Sequence, residues 1–389
     1  MPLHQLSDYD VSSERGFLAA FDASIIPPPA PLKDARAMAR SLPSHLLTGH
    51  VRRDLEHLAT VDDASIDAID DNAQLRCSLV DYSFMAQAYV WGEDSAPTQL
   101  PACIARPLWR LANRVGQPPI LTYSQYVLDN WTRLDPKGAI DLENTATVQP
   151  FLGGEDEAWF ILIHVAIEAQ AAGLLSLLPT AVEAAAVRDQ RALGRSLSGM
   201  IDAWDRMIAI FDRMPERCDP YIYFQRVRPW IHGWKDNPAL PDGLVYDGVD
   251  AFHGKPKAFR GQTGSQSSIV PVMDAFLGVA HGHDPLRGYL DELHVYRPPG
   301  HRRFIDDVRA SSQVRDAVQQ LYDGSLTEAY NDCLDRLTKF RTRHLEYAAS
   351  YIHKQSRGSD GNSTDVGTGG TPFMKYLKKH RDEARAHQL

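Results

Sequence analysis

From Ser325 onward, apolar residues recur in steps of three and four: Tyr330, Cys333, Leu337, Phe340, His344, Tyr347 or Ala348, and Tyr351. That is the period of one face of an α-helix. Nowhere do Val, Ile and Thr alternate with polar residues over the length of a strand, so the spacing predicts a mostly helical, all-α fold. Helices are expected over 65–89, 104–115, 123–131, 158–176, after Pro179, near 190–213, near 219–234, and over 267–279, 302–310, 314–322, 325–352 and 373–384. The polar, glycine-containing stretch 136–155 reads as a boundary. It predicts a small N-terminal helical domain (1–145) and a large C-terminal one (146–389). Residues 235–264 are rich in Gly, Pro, Asp and Asn and read as a long irregular connection, and 355–371 as a flexible polar loop.

Composition narrows the function. At 389 residues the chain can bury a large core without staples. The four cysteines form no CxxC, which excludes a disulfide scaffold, a zinc ribbon and a CxxCH haem attachment. A net charge of −9 with no long basic stripe argues against a nucleic-acid partner. The apolar run from Trp159 carries His164, Glu168 and Gln170, so it reads as a buried helix, with no membrane partner. The first residues lack a secretory pattern, and the expected location is the cytoplasm.

His344 sits in the middle of the buried stripe. It is either a hydrogen-bonded core histidine or a metal or haem ligand. Arg341, one turn earlier, is placed to meet a haem propionate. His164 lies among Trp159, Phe160, Ile161, Leu162, Ile163, Val165 and Ala166, where an imidazole needs a polar partner. Glu168, four residues on, is the local candidate. Two histidines on separate buried helices also fit the two faces of one haem. Other chemistries fit less well. Asp291-x-x-His294 is a single, poor match to a di-iron pattern, and no HExxH, GxSxG or GxxxxGK[ST] occurs. Arg226 and Arg228 stand among Tyr221, Tyr223, Phe224, Trp230 and Trp234. Such a cluster is either a solvated basic face or a pocket for a flat group bearing a carboxylate.

Six stretches then fall in order: Pro118–Trp131 (PPILTYSQYVLDNW), Gly233–Gly248 (GWKDNPALPDGLVYDG), Gly261–Ser268 (GQTGSQSS), Tyr296–Phe304 (YRPPGHRRF), His344–Ile352 (HLEYAASYI) and Gly367–Leu377 (GTGGTPFMKYL). Together they resemble the indoleamine 2,3-dioxygenase family. The resemblance implies haem b, O2 as co-substrate, an external reductant that keeps the iron ferrous, and cleavage of the indole C2–C3 bond. With L-tryptophan the product would be N-formylkynurenine. By position, His344 matches the proximal iron ligand and Arg228 the arginine that holds the substrate carboxylate. Tyr123 and Phe160 match residues around the indole, with Tyr223 and Phe224 beside them. Thr263 and Gly264 match the Ser-Ala pair of the distal loop, and Thr368 the mobile-loop threonine. His164 stands where animal members carry serine, Tyr223 where they carry phenylalanine, and Gly264 where they carry alanine. The first change resembles tryptophan 2,3-dioxygenase, whose distal histidine contacts the indole N–H. Other readings remain at this stage: a haem monooxygenase of another indole, a haem sensor using His164 and His344 as two axial ligands, and a helical interaction module without cofactor.

Overall fold

The computed structural model describes residues 3–282, 285–355, 367–368 and 373–389. The loop expected over 355–371 therefore lies outside the described residues, apart from Gln355, Gly367 and Thr368.

Helices dominate, as the periodicity predicts. In the N-terminal part, the Asn72–Trp91 helix packs against Lys33–Leu46 and Ala102–Val115. In the C-terminal part, the Gln190–Phe211 helix packs against both Glu155–Leu175 and Gly324–Tyr351. Phe373–Arg385 closes over the Gly324–Tyr351 helix. Among the described residues, a buried apolar cluster runs from Tyr9 to Ala384. Strand structure among the described residues is confined to short pairs, Gln99–Leu100 beside Val245–Tyr246 and Trp131–Arg133 beside Thr145–Thr147.

Local chemistry sets the helix starts. Asp71, Asp189 and Asp323 each accept a backbone N–H at the first turn of the helix that follows. The Glu155–Leu175 helix begins with a different device. Its Glu157 carboxylate accepts the N–H groups of Phe151, Leu152 and Gly153 at 2.6, 2.9 and 3.1 Å, fixing the preceding loop. This helix, with the turn and helix after it, is long and apolar enough to cross a membrane, but 72% of an 18-residue apolar window within it is buried inside the fold. It is a core helix, as its His and Glu imply.

Three expected helices differ from their predicted form. The 65–89 run breaks between Asp63–Asp67 and Asn72–Trp91, because Asp71 caps a new helix. The 123–131 run is a π-helical turn, Ser124–Leu128, and Trp131 belongs to a strand. The 219–234 run is a π turn, Tyr223–Val227, followed by a 3-10 turn, Arg228–Ile231. Pro229 has no N–H to continue an α ladder. Period-3.6 patterning cannot separate these tighter and wider turns from an α-helix. π turns are uncommon and gather at functional sites. Here Tyr123, just before the first turn, and Tyr223, which opens the second, line the same hollow.

Candidate active site

The hollow lies between the Glu155–Leu175 and Gly324–Tyr351 helices. It has two adjoining lobes, with about 1070 and 930 Å³ of empty space including their mouths. Both lobes are lined by His164, Phe211, Gly264, His344, Leu377 and His380. The two histidines singled out from sequence thus face one space from different helices, with the Phe211 ring 6.4 Å from each imidazole.

The two imidazoles are held differently. His164 Nδ1 lies 2.7 Å from the Phe160 carbonyl oxygen of its own helix. A carbonyl only accepts, so Nδ1 carries the proton and Nε2 keeps its lone pair. Burial holds this imidazole below the usual histidine range, hence neutral at pH 7. The partner expected for it, Glu168, is engaged elsewhere. Glu168 Oε1 accepts the Tyr123 hydroxyl at 2.9 Å and the Ser267 hydroxyl at 2.8 Å. The expectation of a local His164–Glu168 pair is therefore corrected: His164 Nδ1 turns to the carbonyl of its own helix, and the hydroxyls on Glu168 come from residues distant in sequence. Burial pushes the Glu168 carboxyl up to about 7.

His344 has no hydrogen bond among the described residues. Burial and the neighbouring His164 push it down to about 4, so it is a neutral nitrogen donor facing the hollow. The space before it is kept open by Gly264, where an added Cβ would stand 4.0 Å from His344 Nε2. The loop bearing Gly264 is fixed by a close backbone crossing. A Cβ at Gly233 would fall 2.1 Å from Gly261 N, so only glycine lets the two segments meet.

The other expected residues divide by lobe. Phe160, Tyr223, Thr263 and Thr368 line the first, where the Phe160 and Tyr223 rings lie 4.7 Å apart. Tyr123 and Arg341 line the second. Arg341 Nη2 donates to Asp274 Oδ2 at 2.6 Å. Thr263 caps the short Gly264–Gln266 turn, and Thr368 Oγ1 donates to the Gln262 carbonyl. Arg228 and Phe224 stand behind the lining. Arg228 is fully buried, its Nη1 is 3.3 Å from His232 Nε2, and its guanidinium lies over the Phe224 ring at 5.5 Å. Tyr223 and Ile231, which bracket Arg228 in the chain, both line the first lobe. Burial lowers Arg228 to about 10, which still leaves it charged at neutral pH.

Sequence reasoning missed Phe211, Ser267 and His380. Phe211 closes an amphipathic helix and reads as core. Ser267 reaches Glu168 only through tertiary folding. His380 could have been noticed as a His-x-x-Glu pair with Glu383 on one helical face.

The fold and this two-histidine hollow define a helical protein built around an internal hollow. Residues 5–387 match the family model described as indoleamine 2,3-dioxygenase. Indoleamine 2,3-dioxygenase 1 of Rattus norvegicus is 31% identical, covering 98% of this chain and 95% of that protein. Indoleamine 2,3-dioxygenase of Saccharomyces cerevisiae is 30% identical over 99% of this chain and 94% of its own. A protein named myoglobin from Haliotis madaka is 27% identical, covering 99% of both. The chain belongs to the indoleamine 2,3-dioxygenase family.

Proposed function

We propose that this chain is a haem-dependent dioxygenase that cleaves the indole C2–C3 bond of L-tryptophan to N-formylkynurenine, working in the reducing cytosol with an external reductant. The observation that carries the reading is the pair of neutral imidazoles, His164 and His344, facing one hollow, with the side-chain-free Gly264 beside His344. The donor set suits haem b. His344 is a neutral, uncommitted nitrogen of the kind that ligates haem iron. Arg341, which already neutralises Asp274, is the residue on the second lobe suited to a propionate. Bound there, haem supplies the binding and activation of O2 that no side chain can.

The chain's own residues bind and orient. The Phe160 and Tyr223 rings fix the plane of an indole by stacking and edge contacts. His164 Nε2, whose lone pair is left open by the Nδ1–Phe160 bond, accepts the indole N–H. Arg228 supplies a charge-assisted fork for the substrate carboxylate from the segment that also carries Tyr223 and Ile231. Thr368 lines the first lobe, where it meets the substrate amine. The aromatic lining excludes water from the reacting ring, and holding two reactants together supplies much of the rate. No residue in this scheme must act as a strong base.

Reaction under ¹⁸O2 tests it: both oxygen atoms should enter the product from O2. A product carrying one labelled oxygen makes the chain a monooxygenase. A second reading, haem held by His164 and His344 together, is favoured by their sharing both lobes. It requires a six-coordinate spectrum that tryptophan leaves unaltered.

A further inference from the structure

The C-terminal helix brings a second donor cluster to the edge of the hollow. His380 and Glu383 are three residues apart on Phe373–Arg385 and share a face. They meet His281, which follows the Ile269–Leu277 helix. The candidate ligand atoms of the three residues all lie within 4.8 Å of one another. We propose that His281, His380 and Glu383 bind one divalent transition-metal cation of the zinc class, separate from the haem iron, and that this ion straps the C-terminal helix to the wall of the hollow.

The orientation of His281 favours this. A metal-ligating histidine normally donates its other N–H to a carboxylate, which fixes ring and tautomer. His281 Nε2 lies 3.1 Å from Asp274 Oδ2, and Asp274 is itself held by Arg341. That leaves His281 Nδ1 as the ligating nitrogen, and Glu383 Oε2 is already 2.6 Å from it. The other oxygen of Glu383 is occupied, with the Gly282 N–H at 3.4 Å and Lys379 Nζ at 3.5 Å. One carboxylate oxygen is therefore reserved for the ion. The His380 ring completes the set, its centroid 4.5 Å from that of His281.

The distances are close to what an ion needs. Bonds of about 2.0–2.2 Å in a tetrahedral site put ligand atoms roughly 3.3 Å apart. The widest separation here exceeds that by about 1.5 Å, a shift within the reach of side-chain rotation. Two imidazoles and a carboxylate suit zinc, cobalt, nickel or copper better than calcium or magnesium. Three protein donors leave a fourth position for water. In the metal-free form a proton on His281, shared with Asp274 and Glu383, holds the same groups together. The ion would replace that proton at Nδ1. Leu377, one turn before His380, lines both lobes, so the strap stabilises the wall of the hollow.

Untagged holoprotein, dialysed against micromolar Zn²⁺ and assayed for metal, gives the test. One zinc per chain beyond the haem iron is expected, with a rise in Tm that tracks zinc concentration. His380→Ala and Glu383→Gln should each weaken zinc binding at least tenfold, and Asp274→Asn roughly ten- to a hundredfold. His253→Ala, an exposed histidine elsewhere, should change nothing. If His281→Ala fails to fold, His380→Gln leaves the His281–carboxylate contacts intact and carries the test alone. Absence of the extra zinc, or zinc binding indifferent to His281 and His380, overturns the proposal and leaves a protonated clamp.

Discussion

The two helices that face each other across the hollow treat their polar groups in opposite ways. On Glu155–Leu175 the three groups that matter are committed within the protein. Glu157 holds the preceding loop, His164 Nδ1 donates to the Phe160 carbonyl, and Glu168 Oε1 accepts the hydroxyls of Tyr123 and Ser267. On Gly324–Tyr351, Arg341 is committed to Asp274, but His344 has no partner among the described residues. A committed imidazole is a rigid, oriented acceptor. An uncommitted one, neutral and facing open space, is costly unless a ligand completes it. On the function proposed above, recognition falls to the first wall and cofactor attachment to the second.

The largest expected effect breaks the contrast at its uncommitted side. His344→Ala should yield apoprotein or weakly held haem, with activity lost in proportion. Full haem content together with full activity would overturn the assignment of this wall. Next in size is Arg228→Ala. A desolvated fork to a carboxylate contributes about 1.5–3 kcal/mol, so kcat/KM for tryptophan should fall at least about tenfold with haem retained. Tryptamine, lacking the carboxylate, should respond little. Equal losses for both substrates would make Arg228 a packing residue, in keeping with its place behind the lining.

Much of this contrast was legible in the sequence, and the part that was not is instructive. The helical period placed His344 mid-stripe, and the all-apolar flanks of His164 announced a buried imidazole. The identity of its partner was not legible. A carboxylate four residues on is the natural local candidate, whereas the structure satisfies Glu168 from Tyr123 and Ser267, which are 45 and 99 residues away. The π turns at Ser124–Leu128 and Tyr223–Val227 were hidden for a related reason: a change of one residue per turn leaves the apolar pattern almost unaltered.

A smaller effect sharpens the recognition wall. His164 Nε2 is expected to accept the indole N–H, and a site built around such a bond rejects an analogue that lacks it. Wild type should therefore use 1-methyltryptophan poorly, and His164→Ser should reduce the discrimination roughly tenfold while keeping some activity on tryptophan. The comparison to make is kcat/KM for both substrates in both proteins. A wild type that accepts the methylated substrate as readily as tryptophan would remove the hydrogen bond from the mechanism.

The smallest effect concerns Glu168, one turn beyond His164, whose charge depends on pH near neutrality. Its carboxyl is raised to about 7 by burial, against an ordinary value near 4.5. Between those pH values the folded chain holds a proton that the unfolded chain has released. Stability therefore falls as pH rises from about 4.5 through 7, and the loss levels off above that. The full span corresponds to at most on the order of 3 kcal/mol, and relaxation around the ionised group reduces it. Glu168→Gln keeps an acceptor for Tyr123 and Ser267 but never ionises. The variant should match wild type near pH 5 and exceed it near pH 8, by a few degrees or less in Tm for a chain of this size. Parallel Tm curves across that range would mean that Glu168 titrates alike in the folded and unfolded chains. The first wall would then carry a charge beside His164, favouring protonation of that imidazole and weakening it as an acceptor for the indole N–H.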